Sequence, residues 1–262
     1  MKTNNIYTLL IFCAMLIISS CDKDAVQIIH TPPNGPLVRV YNFALNGPSA
    51  NFFINDFKIS AANSTTGKEL ATGLGYSGVF PTNNSYINAP TSGSVAFKTI
   101  VPLNATVNPG ITVANVTSTI ETGKYYSFYT SGVFDATAKT TSGFIIEDMI
   151  PAVDTSTAYV RIVNTVPNAG IAGFDLKGVN TTTLATVVIA APTAYKAASE
   201  FVKVPNGIYN LTAVSTNTPT SYTIIRNAVS FSKGFVYTIS TRGDATLATG
   251  TNARALDLTR NR

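Results

Sequence analysis

The feature that most constrains the fold is an internal repeat. Residues 123–132, with the sequence GKYYSFYTSG, recur as residues 234–243, with the sequence GFVYTISTRG. In both copies a glycine opens the segment, a tyrosine follows three positions later and a second glycine closes it. Aromatic, β-branched and hydroxyl residues between two glycines predict a strand between two turns. A second related pair, LVRVYN at 37–42 and YVRIVN at 159–164, precedes these segments, so the chain contains one module twice.

The spacing of strand and turn signals predicts the fold class: all-β, with two tandem Ig-like antiparallel β-sandwich domains. Repeat 1 is expected at 37–150, a linker at 151–157 and repeat 2 at 158–262. Asn206-Gly207 predicts a tight hairpin turn between two strands of repeat 2. The expected strands are 37–43, 51–54, 85–87, 95–100, 113–120, 125–130 and 144–149 in repeat 1, and 158–164, 173–177, 186–189, 201–204, 208–214, 221–225, 236–241 and 254–258 in repeat 2.

The N-terminus is predicted to be a lipoprotein signal peptide, residues 1–20. Lys2 supplies a short positive region, and the apolar stretch 6–18 is shorter than the about 20 residues that a membrane span needs. The sequence ISSC follows, which resembles the lipobox of bacterial lipoproteins, in which the cysteine, here Cys21, is acylated. An ordinary signal peptide with an incidental cysteine is the alternative. The resemblance implies that the protein contacts a membrane through a lipid anchor.

Residues 21–36 are expected to form the lipidated cysteine and a flexible tether, because their prolines and polar side chains disfavour a helix. The sequence DKD directly after Cys21 resembles the surface-export signal of lipoproteins from Bacteroidota. The expected location is therefore the outer membrane, at the cell surface. The periplasmic face of that membrane is the alternative.

Several classes of chemistry lack the residues they need. Cys13 leaves with the signal peptide and Cys21 carries lipid, so no thiol is left for a disulfide or a metal. The single histidine, His30, lies in the tether, without a nucleophile to activate. Residues 73–78, GLGYSG, fit the phosphate-binding pattern G-x-G-x-x-G, but the following VFP does not start a helix. We expect no cofactor and no metal centre, although a calcium site built from distant loops stays open.

Two further functions are disfavoured: nucleic-acid binding by the distribution of basic residues, and glycan hydrolysis by the orientation of the adjacent carboxylates. The formal net charge is +5, but the basic residues are mostly scattered singly rather than grouped in runs. A two-carboxylate glycan hydrolase would need paired acids, and the adjacent Glu147 and Asp148 on a strand would point to opposite faces. A hydrolase is kept only as a distant alternative.

The repeated motifs resemble a known family. A V-R-V/I opening strand, a Gly-x-x-Tyr strand start and a late acidic residue, repeated behind a lipobox, are similar to the bacterial domain-of-unknown-function family 4397. Members of that family occur as repeated Ig-like modules in envelope lipoproteins. The resemblance covers residues 37 to about 258. It implies a fold and an envelope location but no activity, since none is established for the family.

Two sets of repeated residues are predicted to have structural roles. Tyr126 and Tyr237, in Gly-x-x-Tyr, resemble the tyrosine corner of Ig-type sandwiches, in which a buried phenol bonds to the backbone. An arginine in each opening strand and an aspartate in each closing strand would form cross-strand ion pairs if those strands are neighbours. The predicted pairs are Arg39 with Asp148 and Arg161 with Asp257.

Residues that could bind a ligand are expected where the two copies differ. Residues 76–86, YSGVFPTNNSY, concentrate aromatic, amide and hydroxyl side chains, which stack on sugar rings and bond to hydroxyl groups. We expect a non-enzymatic, lipid-anchored envelope protein for adhesion or for binding a protein or glycan. The alternative is an accessory glycan-binding lipoprotein of a polysaccharide-uptake system. Neither the partner nor the oligomeric state follows from the sequence. The candidate ligand-binding residues are Tyr76, Phe80, Asn83, Asn84 and Tyr86.

Overall fold

Seventeen strands make up the folded part of the chain, in a computed structural model that describes residues 34–60, 72–82, 84–215 and 220–262. Within these ranges there is no helix, hence none that could cross a membrane. The predicted signal peptide, Cys21, the tether up to residue 33 and Asn83 lie outside the described residues. The strands are β1 Leu37–Asn42, β2 Asn51–Ile54, β3 Phe57–Lys58, β4 Gly78–Phe80, β5 Ile87–Asn88, β6 Gly93–Ile100, β7 Thr112–Ile120, β8 Tyr125–Asp135, β9 Thr140–Glu147, β10 Ala158–Asn164, β11 Phe174–Asn180, β12 Thr186–Thr193, β13 Val202–Val204, β14 Gly207–Ser215, β15 Tyr222–Phe231, β16 Val236–Arg242 and β17 Ala255–Arg260.

Each repeat contributes two sheets. In repeat 1 one sheet has the order β4-β1-β8-β9, with β5 also beside β1, and the other has the order β3-β2-β6-β7. Repeat 2 has the matching orders β13-β10-β16-β17 and β12-β11-β14-β15. The predicted all-β fold with two tandem sandwiches is confirmed. One detail differs, because the opening strands β1 and β10 run parallel to β8 and β16 and do not lie beside the closing strands β9 and β17.

Alternation along the strands builds one apolar core in each repeat. In β6, Val95 and Phe97 are buried while Ala96 between them is more exposed, as the period of two requires. The Phe97 ring lies 5.3 Å from that of Phe128, and Phe52 meets Phe128 edge-on at 5.6 Å. Each such buried aromatic side chain contributes about 1.5–3 kcal/mol. The second core is formed in the same way around Phe174, Leu211 and Phe231, among others.

The opening strands are buried on both faces, because the two repeats pack against each other. In β1, Val38 and Val40 enter the core of repeat 1, and Tyr41 points the other way into a second apolar cluster. That cluster also contains Tyr129 of β8 and Val163 of β10, so it spans both repeats. The Tyr41 and Tyr129 rings stack at 4.2 Å. The sheet containing β1 and the sheet containing β10 therefore meet through their outer faces.

Two sequence expectations about strands and turns are wrong. Gly132 does not close its strand, because its φ of +85° fits an irregularity after which β8 continues to Asp135. Tyr195 of repeat 2 reaches this point and its hydroxyl lies 2.9 Å from the Ser131 hydroxyl. Asn206-Gly207 does not make a hairpin, since β13 pairs with β10 and β14 pairs with β11 and β15. The turn instead carries the chain from one sheet to the other.

Candidate functional site

A closed ring of hydrogen bonds lies at the junction of the two repeats. Arg161 of β10 forms an ion pair with Asp148, and its Nε donates to the Thr238 hydroxyl at 3.0 Å. Thr238 donates to Asn261 Oδ1 at 2.8 Å, and Asn261 Nδ2 donates to the Tyr86 hydroxyl at 2.7 Å. Tyr86 closes the ring by donating to Asp148 Oδ2 at 2.9 Å. Two members come from repeat 1 and three from repeat 2. The ring therefore links the repeats by two contacts, Arg161 with Asp148 and Asn261 with Tyr86.

The ring is held in a desolvated environment. The side chains of Arg161 and Asp148 are only 3% and 0% exposed, and Ser127 adds a further hydrogen bond to Asp148 at 2.7 Å. Burial disfavours the charged guanidinium, but the Asp148 carboxylate, together with Tyr129 and Tyr86, more than offsets this effect, so the pKa of Arg161 is raised. Burial and the same carboxylate raise the pKa of Tyr86, which therefore stays a neutral donor. The ring therefore joins the repeats through the buried ion pair between Arg161 and Asp148.

The predicted ion pairs are wrong in their partners. Asp148 pairs with Arg161 of the other repeat rather than with Arg39, and Asp257 pairs with Arg242 rather than with Arg161. The register explains the error. Tyr126 lies opposite Glu147, and Tyr237 lies opposite Arg260, so the position that matches Asp148 is Asn261 and not Asp257.

Arg39 occupies the junction by a different set of contacts. It is fully buried and donates to the Ser85 carbonyl from Nε at 3.2 Å and from Nη2 at 2.6 Å. Its Nη1 donates to the Arg260 carbonyl of repeat 2 at 3.0 Å. The guanidinium lies 4.5 Å from the centre of the Tyr86 ring. Arg39 thus ties β1, the segment before β5 and the closing strand of repeat 2 together.

Tyr126 and Tyr237 lie in corresponding places. Both are buried, at 3% and 6% exposure, and each phenol oxygen accepts a hydrogen bond from a backbone N–H five residues upstream. The donors are Glu121 at 3.0 Å and Ser232 at 3.2 Å. The glycine three positions before each tyrosine has a positive φ, +80° and +84°, as the preceding turn requires.

The sequence analysis missed a second repeated pair at the ends of the opening strands. Asn42 Oδ1 accepts from the Thr130 hydroxyl at 2.9 Å, and Asn164 Oδ1 accepts from the Thr241 hydroxyl at 2.8 Å. All four residues are buried. The signal was available, because asparagine ends both V-R-V/I segments and threonine recurs at the same position of both Gly-x-x-Tyr segments.

The candidate ligand-binding residues do not form one exposed platform. Phe80 lies in β4 and packs against the core of repeat 1, and Tyr86 belongs to the junction ring. Tyr76 is half-buried, with its ring centre 5.5 Å from the Arg242 guanidinium. Asn84 is exposed. The physical reason is that the segment pairs with β1 through β4 and β5 instead of projecting as a loop.

Two open grooves at the junction share Asn84. The first groove has a volume of about 540 Å³, and its lining includes Tyr86, Tyr125 and Arg262. The second groove has a volume of about 590 Å³ and lies between the segment containing β4 and the strands β16 and β17. Both volumes fall within the range of about 300–1,000 Å³ typical of ligand sites. The lining of the second groove includes Ser77, Thr82, Asn84, Thr259 and Arg260.

Comparison with known proteins gives low similarities. No protein-family model matches the chain, and no curated protein matches it. A proposed cell adhesion protein from Bacteroides fragilis is 13% identical, with 86% of this chain and 97% of that chain covered and a TM-score of 0.22. A proposed cell adhesion protein from Bacteroides ovatus is 11% identical, with 86% and 96% covered and a TM-score of 0.25. A leucine-rich repeat protein from Bacteroides thetaiotaomicron is 11% identical, with 80% and 26% covered and a TM-score of 0.21. Similarity at this level transfers neither a fold nor a function.

Proposed function

We infer that this chain is a non-enzymatic, lipid-anchored protein of the outer membrane that presents its two repeats as one binding unit for adhesion to a protein or glycan. The observation that carries this proposal is the buried ring at the junction. It fixes one repeat against the other and leaves two open grooves beside the junction.

Separating the two repeats would be energetically unfavourable. Opening the junction would break the Arg161–Asp148 pair and expose the stacked Tyr41 and Tyr129 rings. Bringing these buried apolar rings into water is unfavourable, so a hinge here is disfavoured. A fixed junction holds the groove walls in place before a ligand arrives, and such preorganisation favours binding because less freedom is lost.

The anchor and the location rest on the N-terminal sequence. An acylated Cys21 would place the repeats outside the bilayer, and the sequence DKD would direct them to the cell surface. Charged residues form only 12% of the chain, about half the usual share, which suits an extracellular β protein rich in Thr, Ser and Asn.

Binding by the immobilised unit 34–262 tests the proposal. These residues form one compact unit, which can be exposed to fractionated envelope proteins and polysaccharides in a surface plasmon resonance assay. We expect saturable binding to at least one fraction and no release of shortened products from any polysaccharide. Asp148→Asn, which loosens the junction, should weaken the binding, whereas the matched change Asp257→Asn should not. Shortened glycan products, or the absence of binding to every fraction, would refute the proposal.

A further inference from the structure

We propose that the second groove binds an acidic sugar unit of a polysaccharide, with the Arg260 guanidinium contacting the anionic group of that sugar. This inference rests on the proposed binding function and adds the chemical class of the ligand. Three features of the groove support it: Arg260 has no anionic partner among the described residues, the lining offers hydroxyl and amide groups, and strand pairing holds both walls in place.

Arg260 is a half-buried cation at the end of β17 that the fold does not neutralise. Its guanidinium carbon lies 4.5 Å from the centre of the Phe235 ring, which supports the charge from one side. No side-chain hydrogen bond or ion pair joins it to any of the described residues, and its Nε is buried without an acceptor. By contrast, Arg242 on the neighbouring strand pairs with Asp257. The Arg260 guanidinium is therefore suited to donate hydrogen bonds to an anionic oxygen of a ligand.

The rest of the described lining combines polar groups with apolar ones such as Val79 and Leu258, and it carries no negative charge. Ser77, Thr82 and Thr259 contribute hydroxyl side chains and Asn84 contributes an amide, and none of the described residues that line the groove has a carboxylate side chain. Hydroxyls and amides both donate and accept hydrogen bonds, which matches the hydroxyl groups of a sugar ring. A guanidinium can hold a carboxylate or sulfate by two parallel bonds. The combination fits a sugar that bears an acid group.

The position of Arg260 is held independently of its side chain. Its backbone carbonyl accepts from Arg39, and β17 pairs with β16 up to this residue. On the other wall, β4 pairs with β1. Substitution of the Arg260 side chain should therefore change the charge of the groove and leave its shape in place.

An acidic glycan is favoured over a nucleic acid or an acidic peptide by the scarcity of cations. A nucleic acid contact would need several cations along a backbone, and the described lining of this groove supplies one. An acidic peptide with several carboxylates would likewise need more cations than the one in the described lining. One cation among hydroxyls matches the charge density of a sugar acid in a carbohydrate chain.

Isothermal titration of the full chain in detergent micelles tests the inference with defined probes. Polygalacturonate supplies carboxylates, fully methyl-esterified polygalacturonate is its neutral counterpart, dextran sulfate supplies sulfates and dextran is neutral. We expect at least one anionic probe to bind and both neutral probes to bind at least about tenfold more weakly. Arg260→Gln should weaken the anionic probe at least about tenfold, the equivalent of about 1.4 kcal/mol. Arg260→Lys, which retains the charge but not the paired geometry, should weaken it less.

Lys177→Gln is the matched control, because it removes the same charge from an exposed position in the other sheet of repeat 2. Its binding should equal that of the unmodified chain, which separates a groove contact from general attraction to a basic protein. The inference would be overturned by any of three results: Lys177→Gln and Arg260→Gln lose the same affinity for the anionic probe, neutral and anionic probes bind equally well, or neither anionic probe binds. If Arg260→Gln fails to fold, Arg260→Lys and the paired probes decide. If the 34–262 unit still captures envelope fractions in any of these cases, the proposed function stands and only the acidic-sugar inference fails. If the probes do not bind and the unit captures no envelope fraction, the proposed function is refuted as well.

Discussion

Replacing Asp148 by Asn tests whether the junction ring holds the repeats together. Asp148 accepts hydrogen bonds from Arg161, Tyr86 and Ser127. Asparagine keeps the shape of the side chain but loses the charge and replaces one acceptor oxygen by a donor NH₂ group. The Arg161 guanidinium, at 2% residue exposure, would then be a buried cation without a carboxylate.

The expected magnitude follows from this loss of one partner. Removing one member of a buried ion pair destabilises a protein by about 3–5 kcal/mol, because the remaining charge stays desolvated. The matched control is Asp257→Asn, since the Arg242–Asp257 side chains are 19% and 27% exposed and solvent weakens their attraction. We expect that control to cost about 1 kcal/mol or less. Replacing both Asp148 and Arg161 by Leu should cost much less than Asp148→Asn, because no uncompensated charge remains.

Urea unfolding of the 34–262 unit at neutral pH, followed by tyrosine fluorescence and circular dichroism, measures the effect. Asp148→Asn should lower the free energy of unfolding and split one transition into two, as the repeats lose their coupling. A loss below about 1 kcal/mol, equal to that of Asp257→Asn, would contradict the reasoning. A loss of about 3–5 kcal/mol for the double Leu variant would show that the loss comes from removing the ion pair itself and not from leaving one charge without its partner.

Three further predictions concern other parts of the chain. Cys21→Ala should move the protein from the membrane to the soluble fraction with an unchanged melting curve; retention on the membrane would count against the lipid anchor. Tyr126→Phe and Tyr237→Phe should each lower the free energy of unfolding by about 1 kcal/mol, because a backbone N–H loses its acceptor; urea titrations without any shift would exclude the corner role. The Ser156 hydroxyl and backbone N–H, with Lys203, lower the pKa of Asp154 to about 2, so its stabilisation is complete above about pH 4 and is lost as the pH falls through about 2. A carboxyl NMR titration should show this low pKa of Asp154, and the pKa should rise in the Ser156→Ala variant. An Asp154 pKa at its ordinary value in the unmodified chain would contradict the contact.

The repeat made much of the fold predictable from the sequence. Alternation around Val38 and Val40 indicated correctly that these side chains enter a core and that Arg39 points the other way. What it could not show is that the second face is also buried, because a polar side chain on a strand has the same pattern whether water or another sheet covers it. The clue was the recurrence of an arginine in the middle of two apolar strands, a position where an unpaired charge would be costly if buried.

The junction ring was less predictable, for reasons of register. Matching the copies by residue type paired Asp148 with Asp257, whereas the strand pairing aligns Asp148 with Asn261. An acid and its amide have the same shape, so one copy can carry the charge and the other the neutral hydrogen-bonding group. Tyr86 was assigned to a binding loop because the pairing of its segment with β1 depends on contacts distant in sequence.

The parallel pairing of β1 with β8 and of β10 with β16 has a consequence for how the protein is made. Leu37 pairs with Tyr125, and Tyr159 pairs with Val236, so neither opening strand can form its parallel pairing until most of its repeat has been synthesised. Such long-range contacts slow folding, because the loop must close before the contact stabilises it. The junction forms later still, because the contacts of Arg39 with Arg260 and of Tyr86 with Asn261 need residues near position 260. The two repeats therefore acquire their fixed relation only after Asn261 has been added.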